Sequence, residues 1–186
     1  MSFLNIFGGK KKISPVAQGI WVVNDLLEKS YCETTIQKIE SSGFKVARQY
    51  NQGRHNKETF IQEKNIAQDL LAKFEKIILA GPSGKVQVTD FSFPLEFYKY
   101  ESGDYIKTHS DAPREIFPGK WSTLTLVLYL TDGYSGGETF FPKSGLKVTP
   151  KIGCGLLFDQ KLDHEALTVE NGIKYVLRTN CLVKKV

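Results

Sequence analysis

The chain holds three histidines, and two of them stand where an imidazole could work beside a carboxylate. His109 opens His109-Ser110-Asp111 at what reads as the end of a strand. Side chains two apart on a strand point to the same side, so the ring and the carboxylate can address one point. His164 follows Asp111 by 53 residues, on the rim of a later strand, and supplies a third ligand. Two neutral imidazoles and one carboxylate on one face of a metal leave the opposite positions open. That arrangement suits non-haem Fe(II), which must hold a substrate and O2 together, and it also suits zinc. Ten residues beyond His164 comes Lys174. By strand alternation Lys174, Val176, Arg178 and Asn180 share one face, while Ile173, Tyr175, Leu177 and Cys181 share the other. If the second face packs on helices, the first carries two cations into the interior. Buried cations are costly unless an anion meets them. A dicarboxylate held at one end by the metal and at the other by a cation would be such an anion. The remaining histidine, His55, sits in the polar run Gly53-Arg54-His55-Asn56 and reads as an exposed loop residue with no partner.

Two amphipathic stretches precede these residues. From Asn24, a plausible N-cap, Leu27, Tyr31, Thr35 and Ile39 recur at helical spacing, with Leu26, Cys32 and Ile36 widening the stripe; Gly43 offers a stop. The polar segment Arg48–Thr59 reads as a loop and a candidate lid. A second helix is predicted from about Phe60 to Leu79, with Ile66, Leu70, Phe74, Ile77 and Ile78 on its apolar side. Gly81-Pro82-Ser83-Gly84 ends it. After residue 85 short runs rich in Val, Thr, Tyr and Phe alternate with Gly, Pro, Asp and Asn. They are Phe91–Tyr100, Tyr105–Ser110, Leu124–Leu130, Glu138–Phe141, Leu146–Thr149, Gly155–Phe158, Glu165–Val169 and Ile173–Val183. Many short strands at this spacing predict antiparallel sheets in a sandwich or barrel. The expected fold is α+β and mainly β: a jelly-roll barrel braced by two N-terminal helices. The expected organisation is a single domain, 1–186, with a tail at 1–19, a helical support region at 20–84 and a catalytic core at 85–186. The loop Ala112–Lys120 follows Asp111 directly and leads to Trp121, a place where substrate contacts occur in such folds.

Composition narrows the partners. At 186 residues, 41% hydrophobic and 24% charged, the chain suits one globular domain and excludes disorder, collagen and coiled coil. No apolar run approaches the length of a membrane span, and Met1–Phe7 lacks the features of a secretory signal. Cys32, Cys154 and Cys181 are odd in number and without metal spacing, which fits a reducing, cytoplasmic compartment. The net charge is +5, but Lys10, Lys11, Lys12, Lys184 and Lys185 lie near the ends. Without those five, 20 basic residues face 20 acidic ones. A nucleic-acid reader concentrates basic charge on a folded face, so a nucleic-acid partner is not expected, nor is a membrane.

Taken together, four blocks resemble the 2-oxoglutarate/Fe(II)-dependent dioxygenase superfamily, in its prolyl 4-hydroxylase-like branch. They are Tyr100-x-x-Gly103-Asp104-Tyr105 with His109-x-Asp111; Thr123-Leu124-Thr125-Leu126-Val127-Leu128-Tyr129-Leu130; Gly136-Gly137-Glu138-Thr139-x-Phe141-Pro142; and His164 with Lys174. The resemblance covers about Leu95 to Val183 and implies a double-stranded β-helix. It implies that His109, Asp111 and His164 bind Fe(II) and form the catalytic centre, and that Lys174 takes the far carboxylate of 2-oxoglutarate. Tyr100, Tyr129 and Thr125 match positions that help hold this cosubstrate, and Arg178 is a second candidate for its anion clamp or a partner for an interior carboxylate. O2 is the implied oxidant, and ascorbate a further cofactor of this enzyme class. The Gly136-Gly137-Glu138-Thr139 block matches one that shapes the barrel. Lys174 is followed by Tyr175 and Leu177-Arg178-Thr179-Asn180, where prolyl 4-hydroxylases place tryptophans. The implied activity is hydroxylation of an unactivated C–H bond, with a peptidyl proline among the candidate substrates and succinate and CO2 released. The implied partner is a protein, peptide or small-molecule substrate. Two alternatives stand beside it: a nucleic-acid demethylase of the same superfamily, and a cupin-like metal-binding module without turnover.

Overall fold

The alternation in the second half of the chain becomes strands, and strands extend further into the first half than the sequence suggests. The computed structural model describes residues 13–48, 53–62, 64–74, 78–81, 84–118 and 120–185. A hairpin comes first, β1 (Ile13–Ala17) and β2 (Ile20–Val23), followed by helix α1 (Lys29–Ser42). Short strands β3 (Lys45–Val46), β4 (Arg54–His55) and β5 (Lys57–Ile61) lead to helix α2 (Lys64–Phe74). Next are β6 (Ile78–Gly81), β7 (Gly84–Phe91), β8 (Leu95–Tyr100), β9 (Tyr105–His109), β10 (Arg114–Phe117) and β11 (Lys120–Tyr129). The chain closes with β12 (Ser135–Gly136), β13 (Thr139–Phe141), β14 (Leu146–Val148), β15 (Gly155–Asp159), β16 (His164–Ala166), β17 (Val169–Asn171) and β18 (Lys174–Lys185).

These strands form a large sheet, whose main path runs β1-β2-β15-β11-β18-β8-β5-β3, a five-stranded sheet in the order β14-β13-β16-β9-β4, and a separate two-stranded ladder of β12 and β17. The central strands of the large sheet are apolar on both faces, which is why they read as continuous runs rather than strict alternations. On one face Leu124, Leu126, Leu128, Leu157, Tyr175, Leu177 and Cys181 pack with Cys32 and Ile39 of α1 and Ile66, Leu70 and Phe74 of α2. On the other face Tyr129, Leu156, Phe158 and Val176 join Phe141 of the five-stranded sheet. The two helices thus brace the outer face of the large sheet, and the smaller sheet covers the inner one. Among the described residues the ladders do not close into a barrel; the architecture is a mostly β sandwich with two helices.

Other expectations are corrected. Residues 13–17 were expected in a tail, but β1 pairs with β2, and β2 with β15, burying Ile20, Trp21 and Val23. Helix α1 starts at Lys29 rather than near Asn24, because the amides of Leu26 and Leu27 both donate to the Gly153 carbonyl at 3.0 Å. Gly43 ends it as expected, with φ of 77°. The predicted second helix is too long at both ends. Lys57–Ile61 pairs with β8 as a strand, and Ile78–Gly81 forms a hairpin with β7. Ile77, Pro82 and Ser83 lie outside the described residues, as do Lys10, Lys11 and Lys12. Part of the expected loop 48–59 is strand, and the segment 112–120 contains β10, which pairs back on β11. Lys184 and Lys185 are not on a tail either: the apolar run before them carries β18 onward, and they pair with Gln87 and Val86.

Candidate metal centre and anion pocket

Pairing between β9 and β16 sets His109 directly opposite His164, with ring centroids 4.4 Å apart. Asp111 follows β9 by two residues, and one ligand atom from each of the three side chains lies within 4.8 Å of the others. Each imidazole is oriented by its own strand. His109 Nδ1 is 2.8 Å from the Lys107 carbonyl, and His164 Nδ1 is 2.9 Å from the Leu162 carbonyl. A carbonyl only accepts, so each Nδ1 carries a proton and each Nε2 is the nitrogen left to face a metal. His164 is packed beside Phe158, with centroids 4.4 Å apart. Burial, reinforced by the neighbouring His109, pushes its pKa down to about 4 against the opposing charge of Asp111. It is therefore neutral at physiological pH, as a metal ligand must be. Two imidazole Nε2 atoms and a carboxylate are the donor set that a non-haem Fe(II) centre needs.

Asp111 is heavily engaged. Its Oδ2 accepts from Thr125 Oγ1 at 2.5 Å and from Arg178 Nη2 at 2.8 Å. Burial pushes its carboxyl up, but Arg178, His164 and the Thr125 hydroxyl outweigh this and hold it below the ordinary aspartate value. Arg178 also reaches Glu96, with Nη1 3.4 Å from Oε2.

Lys174 lies deeper in the same cavity, 2% exposed. Its Nζ donates to the Gly137 carbonyl at 2.6 Å and lies 4.8 Å from the Tyr100 ring centroid and 5.8 Å from that of Tyr129. Among the described residues no carboxylate forms an ion pair with it. The glycine block is explained here. Gly136 and Gly137 both have positive φ, and a Cβ at Gly137 would lie 2.9 Å from Val169 Cγ2 and 3.3 Å from Lys174 Cδ. Without side chains, this turn lets the lysine stem lie against the backbone.

The cavity, of about 630 Å3, opens between the two sheets and is lined by His109, Asp111, His164, Tyr100, Thr125, Lys174 and Arg178. Tyr129 stands behind Lys174, its hydroxyl 2.8 Å from Thr139 Oγ1. Val176 lines the cavity as strand alternation predicts, whereas Asn180 turns to Gln160, accepting its amide at 2.9 Å. Glu138 supplies charge that favours the ammonium of Lys174 but no direct bond. Sequence reasoning missed three pocket neighbours on β8 and β4: Glu96, Tyr98 and Arg54. Tyr98 donates to Glu96 at 2.6 Å, and the Arg54 guanidinium lies 4.7 Å from the Tyr98 ring centroid. The signal was present, since Glu96, Tyr98 and Tyr100 alternate with Leu95 and Phe97, which are buried in the helix-side core. His55 is exposed as expected but not without a partner: Nδ1 is 2.5 Å from Oδ1 of buried Asp104.

A family described as Poxvirus C4/C10 protein matches residues 17–185. The fowlpox virus (strain NVSL) protein FPV006/FPV255 is 31% identical over 123 residues, which is 66% of this chain but only 29% of that protein. The chain therefore matches less than a third of this relative's length. Among solved structures, the viral collagen prolyl hydroxylase of Paramecium bursaria Chlorella virus-1, in a 2-oxoglutarate complex, has a TM-score of 0.58 at 22% identity. That match covers 91% of this chain and 97% of that one. A Pseudomonas putida prolyl 4-hydroxylase gives 0.65 at 18%, over 89% and 92% of the two chains. A Trichoplax adhaerens prolyl hydroxylase, solved with a hypoxia-inducible-factor peptide fragment, gives 0.63 at 15%, over 89% and 84%. At these identities the likeness is one of fold.

Proposed function

The chain belongs to the Poxvirus C4/C10 protein family, and we propose that it is an Fe(II)/2-oxoglutarate-dependent oxygenase hydroxylating an unactivated C–H bond. The observation that carries this reading is Lys174, a buried amine with no carboxylate partner among the described residues, in the cavity that also holds His109, Asp111 and His164. A structural zinc site would give no reason to bury a cation beside it.

In this reading His109, Asp111 and His164 hold the iron. Lys174 meets the far carboxylate of 2-oxoglutarate and so sets the orientation of its keto acid end. Tyr100 and Tyr129 wall the lysine. Phe158 and Val176 keep the cavity apolar, which strengthens every charge contact inside it. Iron held by His109, Asp111 and His164 would supply the oxygen chemistry, in which O2 and 2-oxoglutarate together yield a hydroxylated substrate, succinate and CO2. Arg178 is not the main anion clamp, because Asp111 and Glu96 already occupy it. Peptidyl proline is the finer substrate assignment, supported by a fold shared with prolyl hydroxylases. The three cysteines are free and buried, which supports a cytoplasmic, reducing location. No helix among the described residues is long and apolar enough to cross a membrane.

The test is thermal unfolding with Fe(II), 2-oxoglutarate or both under anaerobic conditions, followed by succinate release in air against a peptide and metabolite panel. The pair should raise the melting temperature more than either component alone, and Asp111→Ala should abolish succinate formation. Metal binding without any effect of 2-oxoglutarate would support the non-catalytic metal module instead. Repair of a methylated base, with affinity for single-stranded DNA falling steeply as salt rises, would support the demethylase.

A further inference from the structure

Lys174 faces two different charge environments, one before the cosubstrate arrives and one after. Before it arrives, Nζ is sealed from solvent, with the Gly137 carbonyl at 2.6 Å and the rings of Tyr100 and Tyr129 around it. A carbonyl accepts from a neutral amine as readily as it does from an ammonium, so this contact does not require the charge. The groups on the neighbouring elements supply no bonded counterion among the described residues. Tyr100 of β8, Tyr129 of β11 and Tyr134, which precedes β12, are phenols whose pKa values burial raises, so they stay neutral. Glu138, after β12, favours the ammonium without a direct bond. From β17 the apolar Val169 packs at Gly137, and Arg178, on the same face of β18, is paired with Asp111 and Glu96. Elsewhere on the cavity wall Arg54, Lys107 and Glu165 carry charge.

A divalent metal on His109, Asp111 and His164 would add net positive charge to this cavity, since Asp111 offsets only half of it. An ammonium at Lys174 would then be repelled from within the same poorly solvated space. The two carboxylates of 2-oxoglutarate reverse the balance. They leave the metal centre with one net negative charge, and a protonated Lys174 brings the sum to zero. We infer that 2-oxoglutarate and a proton bind together: Lys174 is a neutral amine in the metal-loaded site and takes a proton from solvent as the far carboxylate reaches it. This inference deepens the oxygenase reading above and rests on it. Burial, which pushes the lysine down to about 7, sets the range. Below that range the amine is already charged and no proton is taken up. Above it, cosubstrate affinity falls as pH rises, because the bound form holds one proton more than the free form.

The test is anaerobic calorimetry of 2-oxoglutarate titrated into the Mn(II)-loaded protein, at pH 6 and pH 8.5. Pairs of buffers that differ in ionisation enthalpy let the heat count the protons exchanged. Close to one proton should be taken up per 2-oxoglutarate at pH 8.5 and close to none at pH 6, with affinity falling about tenfold between pH 7.5 and 8.5. 2-Oxopentanoate, which keeps the keto acid end and has a methyl group in place of the far carboxylate, should bind without proton uptake at either pH. Lys174→Arg, a permanent cation, should bind 2-oxoglutarate with an affinity that does not change with pH. If that variant folds poorly, the comparison of the two ligands on the wild-type protein decides the matter. Binding of 2-oxoglutarate without proton uptake at pH 8.5 overturns the inference and leaves the oxygenase reading intact. Equal uptake with 2-oxopentanoate also overturns it, since the proton would then have gone to another group. No binding of 2-oxoglutarate to the metal-loaded protein at any pH in this range would instead sink the oxygenase reading, and this inference with it.

Discussion

Burial pushes the Lys174 ammonium down to about 7 from an ordinary value of 10.5, with the charge of Glu138 opposing. Between those values the unfolded chain holds a proton that the folded one has released, so stability rises with pH through that window. Below about pH 7 both states are charged and the fold carries the whole penalty of burying the ammonium. Lys174→Met should flatten this rise and stabilise the metal-free protein at pH 7 by a few kcal/mol, read from urea unfolding at pH 7 and 9.5. The same variant should bind 2-oxoglutarate much more weakly, because the ligand carboxylate would have stabilised the charge. His164 behaves differently in range but not in sign. Its pKa is lowered to about 4, mainly by burial, so its contribution is present above about 6.5 and lost as pH falls towards 4. Unfolding midpoints between pH 7 and 4 should decline for wild type and decline less for His164→Leu. At this scale His109, Asp111, His164 and Lys174 could be read from residue type and spacing. Sequence alone leaves Arg178 between an anion clamp and a partner for an interior carboxylate, because a strand pattern gives the direction of a side chain and not the acid it meets.

The glycine block at the end of β12 shows how an element constrains the pocket. A Cβ at Gly136 would lie 2.2 Å from the Thr168 carbonyl oxygen, with φ already at 71°. Gly136→Ala should therefore destabilise the fold by about 2 kcal/mol or more, measured by urea unfolding. Gly137→Ala should cost stability, because φ is 67° and the added carbon would lie 2.9 Å from Val169 Cγ2, and should weaken 2-oxoglutarate binding as well, since it would press on the Lys174 stem at 3.3 Å. Helix α2 gives the contrasting case. Leu70 is fully buried against the outer face of the large sheet. Leu70→Ala should cost about 2–5 kcal/mol of stability and leave Mn(II) affinity unchanged. The helix core Ile66, Leu70 and Phe74 was legible from its spacing, but its limits were not. Lys57–Ile61 has no local feature that forbids a helix, and only the neighbouring strands β3 and β8 make it extended. The hairpin β1–β2 was overlooked for a related reason. Ile20-Trp21-Val22-Val23 has strong strand character, but its partner β15 is more than a hundred residues away.

Two sheets of unequal size face one another, and the chemistry is divided between them. The smaller sheet carries both imidazoles, whereas the larger carries Lys174, Arg178, Thr125 and Tyr100. Short strands punctuated by Gly, Pro, Asp and Asn made this β architecture legible in outline, including the helices on one side. Closure into a barrel was not legible in the same way, because it depends on how ladders end and not on any local pattern. The division of labour also means that the pocket exists only when the sheets are packed, so the metal and the anion should stabilise the same folded state. The central claim is that three side chains from the smaller sheet and its following loop bind one ferrous ion, while a lysine from the larger sheet captures a keto-diacid beside it. Anaerobic titration of Fe(II) and 2-oxoglutarate, followed by the visible charge-transfer absorption of their chelate, tests it most directly. The account predicts one chelate per chain, lost in Asp111→Ala and shifted to much higher 2-oxoglutarate concentration in Lys174→Met. A wild-type chain that binds Fe(II) but never forms the chelate, or an Asp111→Ala variant that forms it undiminished, would contradict the account.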